Sequence, residues 1–304
     1  MSKKRNRSPD TKSRKERIAE ITAQLEEGVK AVFESDVYKA YLKCMSKFHN
    51  YSLNNTLLIA LQYPEASLCA GYQAWKKDHG RQVRKGEKGI KIIAPCKYKV
   101  ETEEKDENGK PKIEERDGFR VVTTFDISQT DGPDLPSVGV DELKGDVSDY
   151  RKLFNALTEI CPVPIYTEDI QGGAKGYYSD TDRKIVIKSD MSQMQTIKTM
   201  IHEMAHEKLH AKEHLDKEYM VDRRTKEVEA ESIAYTICQH YGLDSSDYSF
   251  SYVAGWSSGK DTKELKASLE RIRSAADEMI TSIDKSLDKQ KLRDQNRAVR
   301  DEAR

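Results

Sequence analysis

The sequence predicts an α+β protein with a helical N-terminal segment, a β-hairpin or small sheet, a second helix-and-strand unit and a long C-terminal helix. Three observations lead there. Apolar residues recur at three- and four-residue spacing near both ends of the chain, the period of an amphipathic helix. Ile90 to Val100 and Phe119 to Ile127 have strand composition and flank Asn108-Gly109, a strong hairpin dipeptide. Shorter strand-like runs, Val163 to Tyr166, Tyr177-Tyr178 and Lys184 to Lys188, stand directly before a further helical pattern.

Taken in order, residues 1–14 are polar and basic and read as a disordered tail. Ile18, Ile21, Leu25, Val29 and Val32 form a helical stripe, continued after Ser35 by Tyr38, Leu42, Met45 and Phe48. Short helices are expected over Leu53 to Gln62, ending at Pro64, and over Tyr72 to Asp78, stopped by Gly80. The hairpin follows, and with it a first domain over 15–128. Residues 129–148 hold Gly132, Pro133, Pro136, Gly139 and Gly145, the composition of a linker. A second domain over 149–258 opens with a helix near Tyr150 to Ile160. Ser192 and Gln195 have capping-box spacing at the head of its next helix, whose inner face is Met194, Ile197, Ile201 and Leu209. Another helix is expected from Thr225 to Tyr241, closed by Gly242. Asp261 and Glu264 cap the last helix, within 259–304, whose seam runs from Leu265 through Leu269, Ile272, Ala276, Met279 and Ile283 to Leu287. Beyond Lys289 it is expected to fray. The seam either packs on the chain's own core or pairs two copies.

The composition agrees. The chain has 304 residues, room for about two domains of roughly 150 residues each. Its 52 basic and 52 acidic residues cancel, and 34% of the chain is charged. No apolar run approaches the ~20 residues that span a bilayer, so no membrane partner is expected. Lys3, Lys4, Arg5 and Arg7 are followed by no apolar signal segment. The five cysteines are scattered, with no C-x-x-C pair, and read as reduced thiols of a cytoplasmic protein.

The chemistry centres on His202-Glu203-Met204-Ala205-His206. Residues four apart in a helix share a face, so the two imidazoles can bind one ion. The candidate ion is Zn2+, with His202 and His206 as ligands and Glu203 placed to take a proton from a water that the metal activates. A third ligand is required from another element. Glu227 and Glu231 share a face of the next helix while Glu229 points away, and Ala230 permits close packing. Glu227 is the choice for the third ligand, with Glu231 hydrogen-bonding a ligand histidine, although the two roles could be exchanged. His210 extends the same face as a group supporting the ligands.

Ile201 to His210 (I-H-E-M-A-H-E-K-L-H) followed by E-V-E-A-E-S-I-A-Y resembles the zinc peptidase domains of the ImmA/IrrE type and related domains of ArdC-like proteins. The resemblance covers about 149–245. It implies a zincin-like α+β domain of gluzincin-like type, a protein or peptide substrate, and a metal site completed by a glutamate three residues before an alanine, which here is Glu227.

Residues 76–100 hold nine basic residues against two acidic ones, with Tyr63, Tyr72, Trp75 and Tyr98 nearby. Phosphate neutralisation combined with aromatic stacking suits single-stranded nucleic acid. The stretches S-L-N-N-T-L-L-I, G-Y-Q-A-W, R-Q-V-R-K-G-E-K-G-I-K-I and V-V-T-T-F-D-I-S-Q-T resemble the N-terminal single-stranded-DNA-binding domain of ArdC-like antirestriction proteins, a two-domain order shared by LtrC-like proteins of conjugative elements. That resemblance covers about 35–130 and implies DNA contacts at Asn54, Asn55, Trp75, Arg81, Arg84, Lys85 and Lys88. The acidic stretch from Glu101 to Asp117 would repel DNA if it lay over the groove. Together these readings lead to a single-stranded-DNA-binding zinc metallopeptidase of a mobile element. The rival is a non-enzymatic, DNA-binding antirestriction protein whose metal site is structural.

Overall fold

In the computed structural model the described residues are 13–105, 111–135, 147–213, 221–243 and 250–302. The Asn108-Gly109 turn, most of the basic tail and linker residues 136–146 lie outside them. Helix α1 (Arg14–Val32) begins in a full capping box in which Ser13 and Glu16 each accept the other's backbone N–H. Helices α2 (Ser35–Lys47) and α3 (Leu53–Gln62) follow, the latter with Ser52 Oγ accepting from Asn55 N. Strand β1 (Cys69–Gly71), helix α4 (Tyr72–Lys77) and strand β2 (Gln82–Val83) lead to the long antiparallel pair β3 (Ile90–Lys105) and β4 (Pro111–Asp126). A 3₁₀ turn over Ile127–Gln129 precedes β5 (Thr130–Asp131), which pairs with β2. The start of the expected linker is thus folded onto the N-terminal half.

Two side-chain amides of α3 peg the outer edge of β3. Asn55 accepts from Ile93 N and donates to Ile93 O, both at 2.9 Å. Gln62 does the same for Lys91, at 2.9 and 2.8 Å. The two amides lie seven apart, on one helix face, and the two pegged residues lie two apart, so each restores the pairing that a missing neighbour strand would supply.

The C-terminal half comprises α5 (Val147–Ile160), the sheet β6 (Ile165–Glu168), β7 (Gly176–Ser179) and β8 (Lys184–Lys188) in the order β6-β8-β7, then α6 (Gln193–His210) and α7 (Arg223–His240). The short α8 (Val253–Ser257), absent from the sequence reading, seats Trp256, whose Nε1 donates to Thr225 Oγ1 at 3.0 Å. Helix α9 (Thr262–Glu302) opens in the expected box, with Asp261 and Glu264 accepting each other's N–H at 2.9 and 2.8 Å. Its backbone stays helical beyond Lys289, where fraying was expected; its 41 residues span about 60 Å at 1.5 Å per residue.

The seam of α9 is buried within the chain, from Leu265 to Leu287. One apolar cluster runs from Ile21 of α1 through α2, α3, α6 and α7 to Leu287. Polar ties cross it: Tyr38 of α2 hydrogen-bonds Ser232 of α7 at 2.7 Å, and Arg273 of α9 donates to the carbonyls of His49 and Tyr51. The two halves therefore share a core. No helix among the described residues is long and apolar enough to cross a membrane. All five cysteines are free.

Candidate metal centre

Helix α6 is set by Ser192, whose Oγ accepts from Gln195 N at 3.2 Å. The reciprocal half of the expected capping box does not form. The Gln195 amide instead donates to Thr199 Oγ1 and accepts from Lys175 Nζ, tying the helix to the strand loop before it. Ile197, Met200, Ile201, Met204 and Ala205 bury one face of α6, which leaves His202 and His206 on its flank. Helix α7 starts two residues earlier than the sequence suggests, because Asp222 caps it by accepting from Thr225 N at 2.9 Å. Ala230 is fully buried, as close packing of the two helices requires.

This packing gathers three donors. His202 Nε2 and His206 Nε2 stand 3.1 Å apart, and Glu227 Oε2 lies 3.6 Å from each. A tetrahedral ion bonded at ~2.0–2.1 Å separates its ligands by about 3.3 Å, so the triangle has the size of a divalent-metal site. Two imidazole nitrogens at this distance point lone pairs at one another unless a proton or a cation lies between them. Among the described residues His202, His206 and Glu227 are the group of donors able to hold an ion. Glu231 stands behind His202, its Oε2 3.2 Å from Nδ1. Accepting from Nδ1–H, it leaves the Nε2 lone pair of His202 for the triangle. The geometry thus separates the two carboxylates in the order Glu227 at the donors, Glu231 behind them.

The electrostatics match. Burial pushes the His202 imidazole down, but Glu227 and Glu231 hold its charged form so firmly that its pKa rises to about 9. Its partner His206 is pushed down by burial and by the charge of His202, against the pull of Glu227. Glu227 is held far below the ordinary carboxylate range by hydrogen bonds from both imidazoles. Glu203 moves the other way. Burial raises it, opposed by His202 and by the Tyr178 backbone N–H. A carboxylate so raised accepts a proton more readily than an ordinary one. Glu203 is 7% exposed and lines, with the three donors, an open pocket of about 680 Å³ bounded by β7. The strand comes this close only through Gly176, where a Cβ would meet Thr199 Cγ2 at 2.7 Å and Val186 O at 2.9 Å.

His210 lies one turn beyond His206, Nδ1 to Nδ1 at 3.1 Å. Its Nε2 meets Glu229 at 3.0 Å. Glu229 does point away from the donors, as its position two residues from Glu227 dictates, but it points into the core and is fully buried.

Comparison with known proteins bears on both halves. Residues 11–125 match the family model for the N-terminal domain of the anti-restriction factor ArdC. Over these residues the chain is similar to ArdC. An uncharacterized protein of Bacillus anthracis is 31% identical over 293 residues, which cover 83% of this chain and 49% of that protein, so the chain spans about half the length of that relative. The Mn(II)-bound crystal structure of the antirestriction protein ArdC of plasmid R388 is similar over 88% of this chain and 97% of that one, with 20% identity and a TM-score of 0.50, which shows a shared fold. The metal-free crystal structure of that protein aligns over 77% of this chain and 86% of that one, at 24% identity and a TM-score of 0.48.

In the ArdC-like segment, the expected DNA-contact residues divide. Trp75 is fully buried and its Nε1 donates to Phe125 O at 2.9 Å, so it offers no face to a base. Arg81 is 9% exposed. Its guanidinium donates to Thr130 Oγ1 at 2.8 Å, Thr130 O at 3.0 Å, Gly132 O at 3.0 Å and Pro133 O, and so is spent on the chain turn after β5. Gly132 is required there: its φ is +150° and a Cβ would stand 2.8 Å from Arg81 Cα. Arg84 pairs with Glu87 at 2.8 Å and Asp131 at 3.4 Å. Asn55 is the β3 peg already described. Asn54, Lys85 and Lys88 are exposed. Asn54 borders a groove of about 530 Å³ shared with Ser52, Pro95 and Phe119. Phe119, expected only as the start of a strand, is 60% exposed on β4.

Proposed function

We propose that the chain is a DNA-binding protein of the ArdC antirestriction kind, as encoded by mobile elements, in which the ArdC-like half holds single-stranded DNA and α6 and α7 carry a divalent-metal centre. The observation that supports DNA binding best is the set of exposed lysines on the segment from α4 to β3. Lys76, Lys77, Lys85 and Lys88 are exposed, with no carboxylate partner among the described residues, while the arginines of the same segment are spent internally. Four phosphate contacts on a single strand give a slope of about −3 for log affinity against log salt. Replacing Lys85 and Lys88 together by Ala should flatten that slope by about 1.4 and weaken binding alike for all sequences. A salt-independent affinity in the unmodified chain would remove the reading.

At the metal centre, His202, His206 and Glu227 would hold the ion, which supplies Lewis-acid activation of a carbonyl and of water. Two imidazoles and a carboxylate suit Zn2+, and the Mn(II) carried by the R388 protein belongs to the same class of divalent ions. A second reading, peptide hydrolysis, is favoured by one feature: Glu203 is buried beside the donors, anchored by the Tyr178 N–H, and its pKa is raised by that burial. In that role it would accept a proton from the attacking water and return it to the leaving amine. Glu203→Gln should keep the metal and lose any cleavage activity by ~10²-fold or more. Cellular proteins should yield fragments with the unmodified chain that are absent with the variant. Identical fragment patterns, or an antirestriction effect undiminished in the variant, would leave the centre without a hydrolytic part in that effect.

A further inference from the structure

The donors of α6 are backed by a buried chain of hydrogen bonds that ends on α9. His206 Nδ1 is 3.1 Å from His210 Nδ1, and His210 Nε2 is 3.0 Å from Glu229 Oε2. The other oxygen of Glu229 accepts from Ser268 Oγ at 2.7 Å and from Arg271, through Nε at 3.0 Å and through a terminal nitrogen. Glu229 is fully buried, and the side chain of His210 is 4% exposed. The Arg271 guanidinium pairs with Glu229 inside the core, the arrangement of a buried carboxylate with its counter-charge.

With His210 neutral, the donors and acceptors permit one direction for this chain. Glu229 is a carboxylate and can only accept, so His210 Nε2 must carry a proton. A neutral His210 then presents the Nδ1 lone pair to His206, and His206 Nδ1 must carry the proton between them. That leaves the lone pair of His206 on Nε2, the atom facing His202 and Glu227. We propose that Glu229 is a positioning residue for the metal centre. Clamped by Ser268 and Arg271, it sets the tautomer and orientation of His206 through His210, and α9 is thereby part of the metal site. The proposal rests on the metal-centre reading above. It gives the ligand histidines separate carboxylates behind them, Glu231 for His202 and Glu229, at one imidazole's remove, for His206.

Glu229→Gln, made in the full chain, reverses the relay. The amide oxygen goes to Arg271, because a guanidinium can only donate. The amide NH2 then faces His210 Nε2, which must become the acceptor. His210 carries its proton on Nδ1, and His206 is forced to carry its own on Nε2, where it blocks the ion. Two readouts test this: affinity for Co2+ in competition with a chelator, and the ¹⁵N–¹H correlation of the histidine rings in the metal-free protein. The expected result is a loss of Co2+ affinity of about 10–100-fold, with His206 moving from the Nδ1–H to the Nε2–H form while the amide spectrum stays that of the folded chain. Unchanged affinity with an unchanged tautomer overturns the proposal. Should the variant fail to fold, Arg271→Met is measured in the same way, and Co2+ affinity equal to that of the unmodified chain overturns it. If the unmodified chain does not bind Co2+ at all, the metal-centre reading itself fails, which separates the two.

Discussion

Glu227→Ala is expected to abolish metal retention, with affinity falling by roughly a thousandfold or more. The reasoning is geometric. Glu227 Oε2 is the third corner of a triangle whose other sides are fixed by α6, and it lies 3.6 Å from both ligand nitrogens. Losing one of three protein ligands forfeits about a third of a binding energy of ~10–16 kcal/mol, near 4 kcal/mol. Glu231→Ala removes only the acceptor behind His202 and should cost about 10–100-fold. Metal content after gel filtration, followed by chelator competition, ranks the two. Equal losses, or a larger loss for Glu231→Ala, would exchange their roles. A pH effect accompanies this. The metal-free site holds a proton on His202 up to about pH 9, and binding of an ion must expel it. Affinity at neutral pH therefore rises with pH, by about tenfold per unit for one proton released. In the absence of metal the same raised imidazole contributes stability that is complete below its unfolded value near 6.5 and is lost as pH climbs through about 9.

Trp75→Ala should destabilise the ArdC-like half by about 3–5 kcal/mol, read as a lower denaturant midpoint. The indole is fully buried under β4, and truncation both opens a cavity and leaves Phe125 O without its donor. Any loss of DNA affinity in this variant would follow unfolding. Trp75→Phe separates the roles: it restores most of the volume, loses one hydrogen bond, and should bind single strands like the parent chain. A Trp75→Phe variant that folds normally yet binds DNA at least tenfold more weakly would return Trp75 to the interface.

What the sequence made legible follows from the range of each interaction. His202, His206 and Glu227 could be placed together because the helix period fixes which residues share a face, and two faces can then be packed through Ala230. Caps were legible for the same reason, since Asp261 and Glu264 interact over three residues. The same logic stops short at Glu229. Helical phase correctly turned it from the donors, but its neighbours Val228, Ala230 and Ile233 are apolar, and an acidic residue on an apolar face must find a buried partner. That partner set comes from His210 and from α9, about 40 residues on, beyond what periodicity can reach. Arg81 and Trp75 show a similar failure. Composition groups them with the lysines as a DNA-facing patch, while folding spends the guanidinium on the carbonyls after β5 and the indole on the core. Asn55 stands in a polar run that resembles a binding motif, and only the strand beside it reveals that its amide is committed to the backbone.

The paired pegs from α3 also decide how this half can meet anything else. An open strand edge invites another chain to add a strand, whether a partner peptide or a misfolded copy. With Asn55 and Gln62 occupying the outward N–H and C=O groups of Ile93 and Lys91, that portion of β3 has no ladder left to lend. Contacts at this face are left to side chains such as Asn54 and Phe119, and self-association through this edge is discouraged.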